Sequence, residues 1–370
     1  MSAPAGFSEL DRRWMVRALE LAREGLYSAA PNPRVGCVIA RGDTLLGEGF
    51  HARTGGPHAE VEALAAAGAD ARGATAYLGL EPCSHHGRTP PCAEALVAAG
   101  VARVVAALKD PNPSVSGQGF ETLRAAGIDV AVGLLADEAR ALNAGFISRM
   151  RRRRPRVTVK LAASLDGRTA MPSGESRWIT GSAAREDVQR LRGESCAVVT
   201  GIGTVLADDP RLDLRLPDSQ TRGRQPLRVV LDGDLRISSS ARTLQPPGSA
   251  LIFARRADSA AATALRAAGA GVEALPAGAG GLDLEVLLER LAGRECNEVM
   301  VEAGPTLAGA FAAAGLADRL VVYLAPVLMG AGARGMFTLP GLARMSERLQ
   351  WRFTDVRRLG EDLRITAEPA

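Results

Sequence analysis

The sequence predicts two successive α/β domains, each a largely parallel sheet with helices packed against it. Its 370 residues are too many for one typical domain. Short β-branched apolar runs alternate with helix-length amphipathic stretches along most of the chain, the pattern of an α/β layer architecture. One arginine-rich run, S-R-M-R-R-R-R-P-R (Ser148–Arg156), interrupts that alternation. It reads as a solvated linker or domain edge in preference to a nucleic-acid arm. The first domain is therefore expected over residues 1–148 and the second over 149–370, with 149–156 as the linker.

In the first half, residues 8–25 form an amphipathic helix: Ser8 caps it, Leu10, Trp14, Ala18, Leu21 and Ala22 share one stripe, and Gly25 ends it. Val35–Ala40 and a segment around Leu45–Gly49 are strands joined by a turn at Arg41–Asp43. His58–Gly68 is a helix ending at glycine, and Thr75–Leu80 a strand. Pro91–Gly100 is a helix with proline at its start. Arg103–Leu108 is a strand, followed by a helix ending at Gly127 and a strand around Ile128–Val132. In the second half, strands fall at Val157–Ala163, Ala197–Thr200, Leu227–Asp232, Leu251–Ala254, Glu298–Gly304 and Leu320–Pro326. Helices are expected at Ser182–Arg192, at Leu282–Leu291 and from the Gly304 region to about Gly315. A hairpin turning around Gly360–Asp362 closes the chain.

Hydrophobic residues make up 46% and charged residues 23%, which suits packed cores and excludes wholesale disorder. No signal peptide or membrane span is visible. The five cysteines suggest no disulfide framework, so a reducing cytoplasm and a cytoplasmic protein are expected. The net charge is only +4 and aromatics are 4%, which favours a small anionic substrate over nucleic acid or membrane. A homo-oligomer is expected. Only two of the 45 basic residues, Lys109 and Lys160, are lysines, which marks Lys160 as a position where a compact ammonium is needed.

All four histidines (His51, His58, His85, His86) and three of the five cysteines (Cys37, Cys83, Cys92) lie between residues 37 and 92. His58 and Glu60 fall in the first turn of one expected helix, and Cys83 and Cys92 flank the start of the next. One imidazole and two thiolates suit Zn²⁺ and leave a fourth tetrahedral position for water, whose pKa the ion lowers towards neutrality. Glu60, two residues from a ligand, is placed to shuttle protons. The H-x-E…P-C…C pattern is that of the zinc-dependent nucleobase deaminases. Eight residues rather than two separate the cysteines, so His85 or His86 is an alternative ligand to Cys92. A closed structural zinc site is the other alternative, and it would leave Glu60 without a role.

In the second half, G-I-G-T-V-L (Gly201–Leu206) lacks the third glycine of a dinucleotide fingerprint and is rejected as one. E-A-G-P-T-L-A-G-A (Glu302–Ala310) is either an anion site at a helix N-terminus or a tight packing turn.

The extended string E-P-C-S-H-H-G-R-T-P-P-C (Glu81–Cys92), with P-N-P-R-V-G (Pro31–Gly36), G-E-G-F-H (Gly47–His51) and D-P-N-P (Asp110–Pro113), resembles the bifunctional riboflavin-biosynthesis deaminase/reductase family. So do V-K-L-A-A-S-L-D-G-R-T-A (from Val159), G-E-S-R-W-I-T (from Gly174), T-V-L-A-D-D-P (from Thr204) and V-E-A-G-P-T-L (from Val301). The resemblance covers nearly the whole chain. It implies a cytidine-deaminase-like α/β/α domain followed by a dihydrofolate-reductase-like α/β domain. It implies zinc on His58, Cys83 and Cys92, Glu60 as proton shuttle, Asn32 and His51 on the pyrimidine, and Arg88 on the substrate phosphate. It also implies NADPH near Ala162, Trp178, Thr204, Asp208 and Gly304, Pro305, Thr306, Leu307, Ala308, Gly309 and Ala310. The second substrate would lie near Lys160, Ser176, Arg192, Leu212, Arg215 and Glu302. Lys160, Arg192 and Arg215 offer cations to a sugar phosphate. Asp208 or Glu302 is expected to bind hydroxyls or to assist proton transfer, and Trp178 to be a core or cofactor-stacking residue. The implied reactions are hydrolytic deamination of a 2,5-diamino-6-(ribosylamino)pyrimidinone 5′-phosphate, then NADPH-dependent reduction of its ribosyl chain to ribityl. The rival reading is a nucleic-acid base deaminase with an appended RNA-binding domain.

Overall fold

The computed structural model describes residues 6–84, 91–113, 115–278 and 280–370. The chain divides into two compact units, Met1–Arg153 and Arg154–Ala370.

The first unit opens with α1 (Glu9–Glu24). Ser8 and Asp11 cap it reciprocally, Asp11 N–H donating to Ser8 Oγ at 3.0 Å and Ser8 N–H to Asp11 Oδ2 at 2.9 Å. The other Asp11 oxygen accepts from Tyr77 Oη and Arg103 Nη1, which pins the helix to the sheet. Then follow β1 (Gly36–Arg41), β2 (Thr44–Phe50), α2 (Ala59–Ala67), β3 (Thr75–Leu78), α3 (Cys92–Ala99), β4 (Arg103–Ala106), α4 (Gln118–Ala125), β5 (Asp129–Val132), α5 (Ala136–Leu142) and α6 (Ala144–Arg152). The sheet order is β2-β1-β3-β4-β5. β3, β4 and β5 are parallel, and β1 runs antiparallel to both its neighbours. Alternation along the strands feeds two cores. Cys37, Ile39, Ala76 and Leu78 meet Ala63 of α2, Leu96 of α3 and Leu123 of α4. Val38, Ala40 and Tyr77 meet Trp14, Met15 and Ala18 of α1 on the opposite face. Helices therefore cover both faces, in an α/β/α arrangement. Gly49 lets α2 approach at backbone distance, since a Cβ there would sit 2.9 Å from the Ala59 carbonyl oxygen.

The second unit contains β6 (Arg156–Ser164), β7 (Arg168–Ala170), α7 (Ser182–Glu194), β8 (Ala197–Gly201), α8 (Ile202–Asp208), α9 (Asp218–Thr221), β9 (Leu227–Leu231), β10 (Ala250–Ala254), α10 (Ala260–Ala267) and β11 (Gly271–Ala274). The short β12 (Ala277–Gly278) and β13 (Gly281–Leu282) precede α11 (Leu284–Gly293), β14 (Glu298–Glu302) and α12 (Pro305–Ala313). β15 (Arg319–Ala325), β16 (Arg334–Gly335), β17 (Trp351–Leu359) and β18 (Asp362–Pro369) complete it. The main sheet has nine strands in the order β11-β10-β9-β8-β14-β6-β15-β18-β17, parallel from β11 to β15 and closed by the antiparallel β17–β18 hairpin.

The expected elements recur with boundaries shifted by a few residues. The structure adds helices beyond those expected, among them α5, α9 and α10. The arginine-rich run is not all linker. α6 continues to Arg152, Arg153 ends it in the left-handed conformation (φ 56°), and β6 starts at Arg156. Arginine is a good helix former, and Pro155 is the residue that cannot continue the turn. The G-I-G-T-V-L stretch rejected as a dinucleotide fingerprint runs from the last residue of β8, Gly201, into α8.

Candidate active sites

In the first unit, strand-to-helix junctions converge. His58 is the N-cap of α2 in extended backbone geometry (φ −77°, ψ 161°) and spends no side-chain hydrogen bond on capping. Its Nδ1 therefore faces outward, 3.2 Å from Cys92 Sγ and 3.6 Å from Cys83 Sγ. The ligand atoms of His58, Cys83 and Cys92 all lie within 4.8 Å of one another. Cys92 opens α3, and its N–H donates to Cys83 Sγ at 3.3 Å. The adjoining Cys92 thiol and the His58 ring both favour thiolate on Cys83, whereas Cys92 is pushed towards the protonated form by Cys83 and by burial. A bound divalent ion would hold both sulfurs as thiolates. A nitrogen and two sulfurs fit zinc.

Glu60 lies in the first turn of α2 and is 4% exposed; burial pushes its carboxyl up. His51 is buried beside His58, with ring centroids 5.3 Å apart and planes at 87°. His51 Nδ1 faces the Pro57 carbonyl at 2.9 Å, so that nitrogen carries the proton and donates. Nε2 is then the acceptor for Asn32 Nδ2 at 3.0 Å. Burial also lowers the His51 pKa, in keeping with a neutral ring. The chain thus fixes which way the Asn32 amide faces. Arg88, His85 and His86 lie outside the described residues.

In the second unit, a cleft of about 900 Å³ opens at the carboxyl ends of β6, β8 and β14. That is where open parallel sheets bind ligands. The ladder between β6 and β14 sets Lys160 directly opposite Glu302. Arg192 reaches up from α7 and grips Glu302 with two N–H groups, Nε to Oε2 and Nη2 to Oε1, each at 3.1 Å. Lys160 Nζ stands 3.5 Å from Glu302 Oε1 and 5.9 Å from the Tyr323 ring centroid. Burial alone would raise the Glu302 carboxyl, but Arg192 and Lys160 outweigh it and hold the group at about 2. Glu302 is consequently held in the carboxylate form, which accepts hydrogen bonds from hydroxyls. Arg192 also donates Nη1 to the Asp213 carbonyl at 2.8 Å, so its fork is committed within the protein. Arg215, with a side chain 61% exposed, is the more open cation, although it shares Asp213 with Arg211.

Ala162, Ser176, Trp178, Thr204, Asp208 and Leu212 line the cleft, as do Gly304, Pro305, Thr306 and Leu307. Trp178 is 72% exposed under the Arg185 guanidinium at 4.7 Å, so the core alternative for it falls. Gly304 N–H donates to Thr204 Oγ1 at 3.3 Å, which joins the starts of α8 and α12. Ala308, Gly309 and Ala310 do not line the cleft. By then α12 has turned away: Ala308 and Gly309 are buried, and Gly309 packs against the Thr338 backbone.

The low value for Glu302 ties stability to pH. A carboxylate depressed from 4.5 to about 2 contributes stability that is complete above pH 4.5 and lost as pH falls towards 2. Melts of the second unit should be flat from pH 7 to 5 and fall steeply below 4, and Glu302→Gln should flatten that fall.

Residues 8–108 match the cytidine and deoxycytidylate deaminase zinc-binding region, and residues 155–365 match the RibD C-terminal domain. The riboflavin biosynthesis protein RibD of Escherichia coli (strain K12) is 51% identical over 95% of this chain and 98% of its own length. That of Haemophilus influenzae is 44% identical over 98% of each chain. The chain belongs to the RibD family. Solved structures of the family superpose over almost the full length. Acinetobacter baumannii RibD has a TM-score of 0.91 at 46% identity, covering 98% of this chain and all of that one. A Thermotoga maritima diaminohydroxyphosphoribosylaminopyrimidine deaminase/5-amino-6-(5-phosphoribosylamino)uracil reductase has 0.87 at 33%, covering 98% and 99%. The fold is thus a cytidine-deaminase-like unit followed by the RibD reductase unit, and the reading of the second half as an RNA-binding domain is not supported.

Two residues in family strings were passed over in the sequence. Glu81 accepts three backbone N–H groups. Asp166 accepts from Ser164, Met329 and Gly330, tying the S-L-D-G-R turn to a loop more than 160 residues later. Each sits beside a glycine or proline, the one local hint that a carboxylate there serves backbone.

Proposed function

We propose that this chain carries out both reactions of its family, with His58, Cys83 and Cys92 holding zinc, Glu60 moving protons, and the cleft over β6, β8 and β14 binding NADPH and the second substrate. The enzyme is bifunctional, a zinc-dependent pyrimidine deaminase and an NADPH-dependent reductase of riboflavin biosynthesis. The single observation that carries the first assignment is the convergence of one imidazole nitrogen and two sulfurs beside a buried carboxylate.

Bound zinc supplies hydroxide at neutral pH. The chain's own residues do the rest. Glu60 takes the proton of the attacking water and delivers it to the departing ammonia. Asn32, oriented through His51, donates to or accepts from the pyrimidine edge. In the second unit Lys160 and Arg215 attract the phosphate-bearing substrate. The α12 start at Gly304–Leu307 and Thr204 flank the cofactor, whose pyrophosphate suits the Thr306 and Leu307 N–H groups in the first turn of that helix. Trp178 offers an exposed ring to stack on. Glu302 keeps Lys160 and Arg192 in register and accepts hydrogen bonds from sugar hydroxyls. The substrate is a small molecule, the pyrimidine ribosyl phosphate. The expectations of a homo-oligomer, of no nucleic-acid partner and of a cytoplasmic setting are kept. The free thiols at the metal site support the last, and no helix among the described residues is long and apolar enough to cross a membrane.

The test is a two-part assay on purified protein with the diaminopyrimidine ribosyl phosphate. Ammonia should appear without NADPH and stop on chelation, and NADPH absorbance should fall once the cofactor is added. A zinc-loaded protein that releases no ammonia would overturn the first assignment. Ammonia without NADPH oxidation would overturn the second.

A further inference from the structure

Glu81 has no part in the chemistry above, yet it is a carboxylate 4% exposed, two residues before Cys83. Its Oε2 accepts from Asp110 N–H and Gly117 N–H, and its Oε1 from Gly119 N–H, all at 3.0 Å. Gly117 is the N-cap of α4 and Gly119 lies in its first turn. The carboxylate therefore caps that helix and ties Asp110 to its start in one contact, with the favourable sign for a helix N-terminus. Its own N–H donates to the Leu108 carbonyl at 2.9 Å, which fixes it to the end of the β4 segment.

The anchored segment is the one that carries Cys83. α4 presses on the Pro82 carbonyl so closely that only glycine fits at 119, and Gln118 meets Ser84 Oγ at 3.4 Å. From the other side α3 holds the same turn, through Ala93 N–H to the Cys83 carbonyl at 3.1 Å and Cys92 N–H to Cys83 Sγ at 3.3 Å. Cys83 is thus clamped between two helix starts, one set by Glu81 and the other carrying Cys92.

We infer that Glu81 is a positioning residue for the metal centre: by capping α4 it fixes the Pro82–Cys83 backbone, and so the distance of the Cys83 sulfur from His58 and Cys92. The inference rests on the zinc reading above. Only an acceptor on both oxygens satisfies three donors. Glutamine would turn an NH₂ towards a backbone N–H and lose at least one of the three bonds. Outer partners of metal ligands commonly change affinity or activity by about 10–100-fold.

The experiment measures zinc content and the rate of zinc release to a chromogenic chelator in wild type, Glu81→Gln and Glu81→Asp, with both activities followed in the same preparations. Glu81→Gln is expected to release zinc about 10–100-fold faster, to lower the deaminase kcat with KM nearly unchanged, and to leave the reductase within twofold of wild type. Glu81→Asp, which keeps the charge but has a shorter reach, should fall between; it decides the question if the glutamine variant does not fold. Zinc release within twofold of wild type overturns the inference. So does a rise in KM at constant kcat, which would put Glu81 on the substrate. Wild-type protein that takes up no zinc overturns the underlying reading instead, before either variant is compared.

Discussion

Glu60→Gln is expected to lower ammonia release by roughly 10²–10⁴-fold, the usual contribution of a positioned general acid–base group. NADPH oxidation should be unchanged when the already deaminated pyrimidine is supplied. Glutamine keeps the size of the side chain at a position only 4% exposed, so α2 should stay folded and His58 should remain at its N-cap. Zinc content should therefore match wild type, since Glu60 is not among the three residues whose donor atoms converge. That combination, metal retained and turnover lost, separates a proton shuttle from a ligand. Loss of zinc together with activity would make Glu60 part of the metal cage. Full activity would leave the site a structural one.

The second large effect concerns the carboxylate at the end of β14. Glu302→Gln leaves Lys160 and Arg192, with side chains 14% and 8% exposed, facing one another without the negative charge between them. Removing one member of a buried charge cluster costs about 3–5 kcal/mol. For a unit of this size each kcal/mol shifts Tm by about 2–4 °C, so a fall of roughly 10 °C is expected in the second unit only. Reductase turnover should fall by about 10²-fold, as befits an ångström-scale loss of position in Lys160. Arg215→Ala is the contrasting variant. Its side chain is 61% exposed, so the change should move stability by less than about 0.5 kcal/mol while raising KM for the phosphate-bearing substrate. Calorimetry on the two variants beside NADPH-coupled rates distinguishes them. An unchanged Tm in Glu302→Gln would mean that the three charges are solvated rather than mutually held.

The local grammar of the chain was readable where one residue decides an outcome. Ser8 at the α1 cap, Gly100 after α3 and Pro305 at the first position of α12 stand where the sequence puts them. The candidate metal triad was legible because histidine and cysteine are scarce here and His58 and Cys92 sit at helix starts. What could not be read is what depends on sheet order. Arg192, Lys160 and Glu302 were each legible as polar residues in motifs, but Arg192 and Lys160 looked like cations waiting for a phosphate. Only the β6–β14 register shows that they already have a carboxylate to share. Glu81 was hidden for the same reason, since its partners are 29 to 38 residues away and are backbone groups, which leave no side-chain signature. Ala308–Ala310 was overextended because a string of letters does not say where a helix turns its back on a cleft.

The strand order also dictates a schedule. In the first unit every strand finds its neighbours among residues 36–132, so the deaminase sheet can close while later codons are still being read. β6 has no such option: both its neighbours, β14 and β15, lie well over a hundred residues downstream. At typical ribosomal speeds an apolar strand carrying Lys160 waits roughly ten to thirty seconds for its partners. Newborn chains therefore pass through a stage in which the sheet of the first unit can be closed while β6 of the second still lacks both its partners. The reductase half is the part whose yield should depend on chaperone supply and growth temperature.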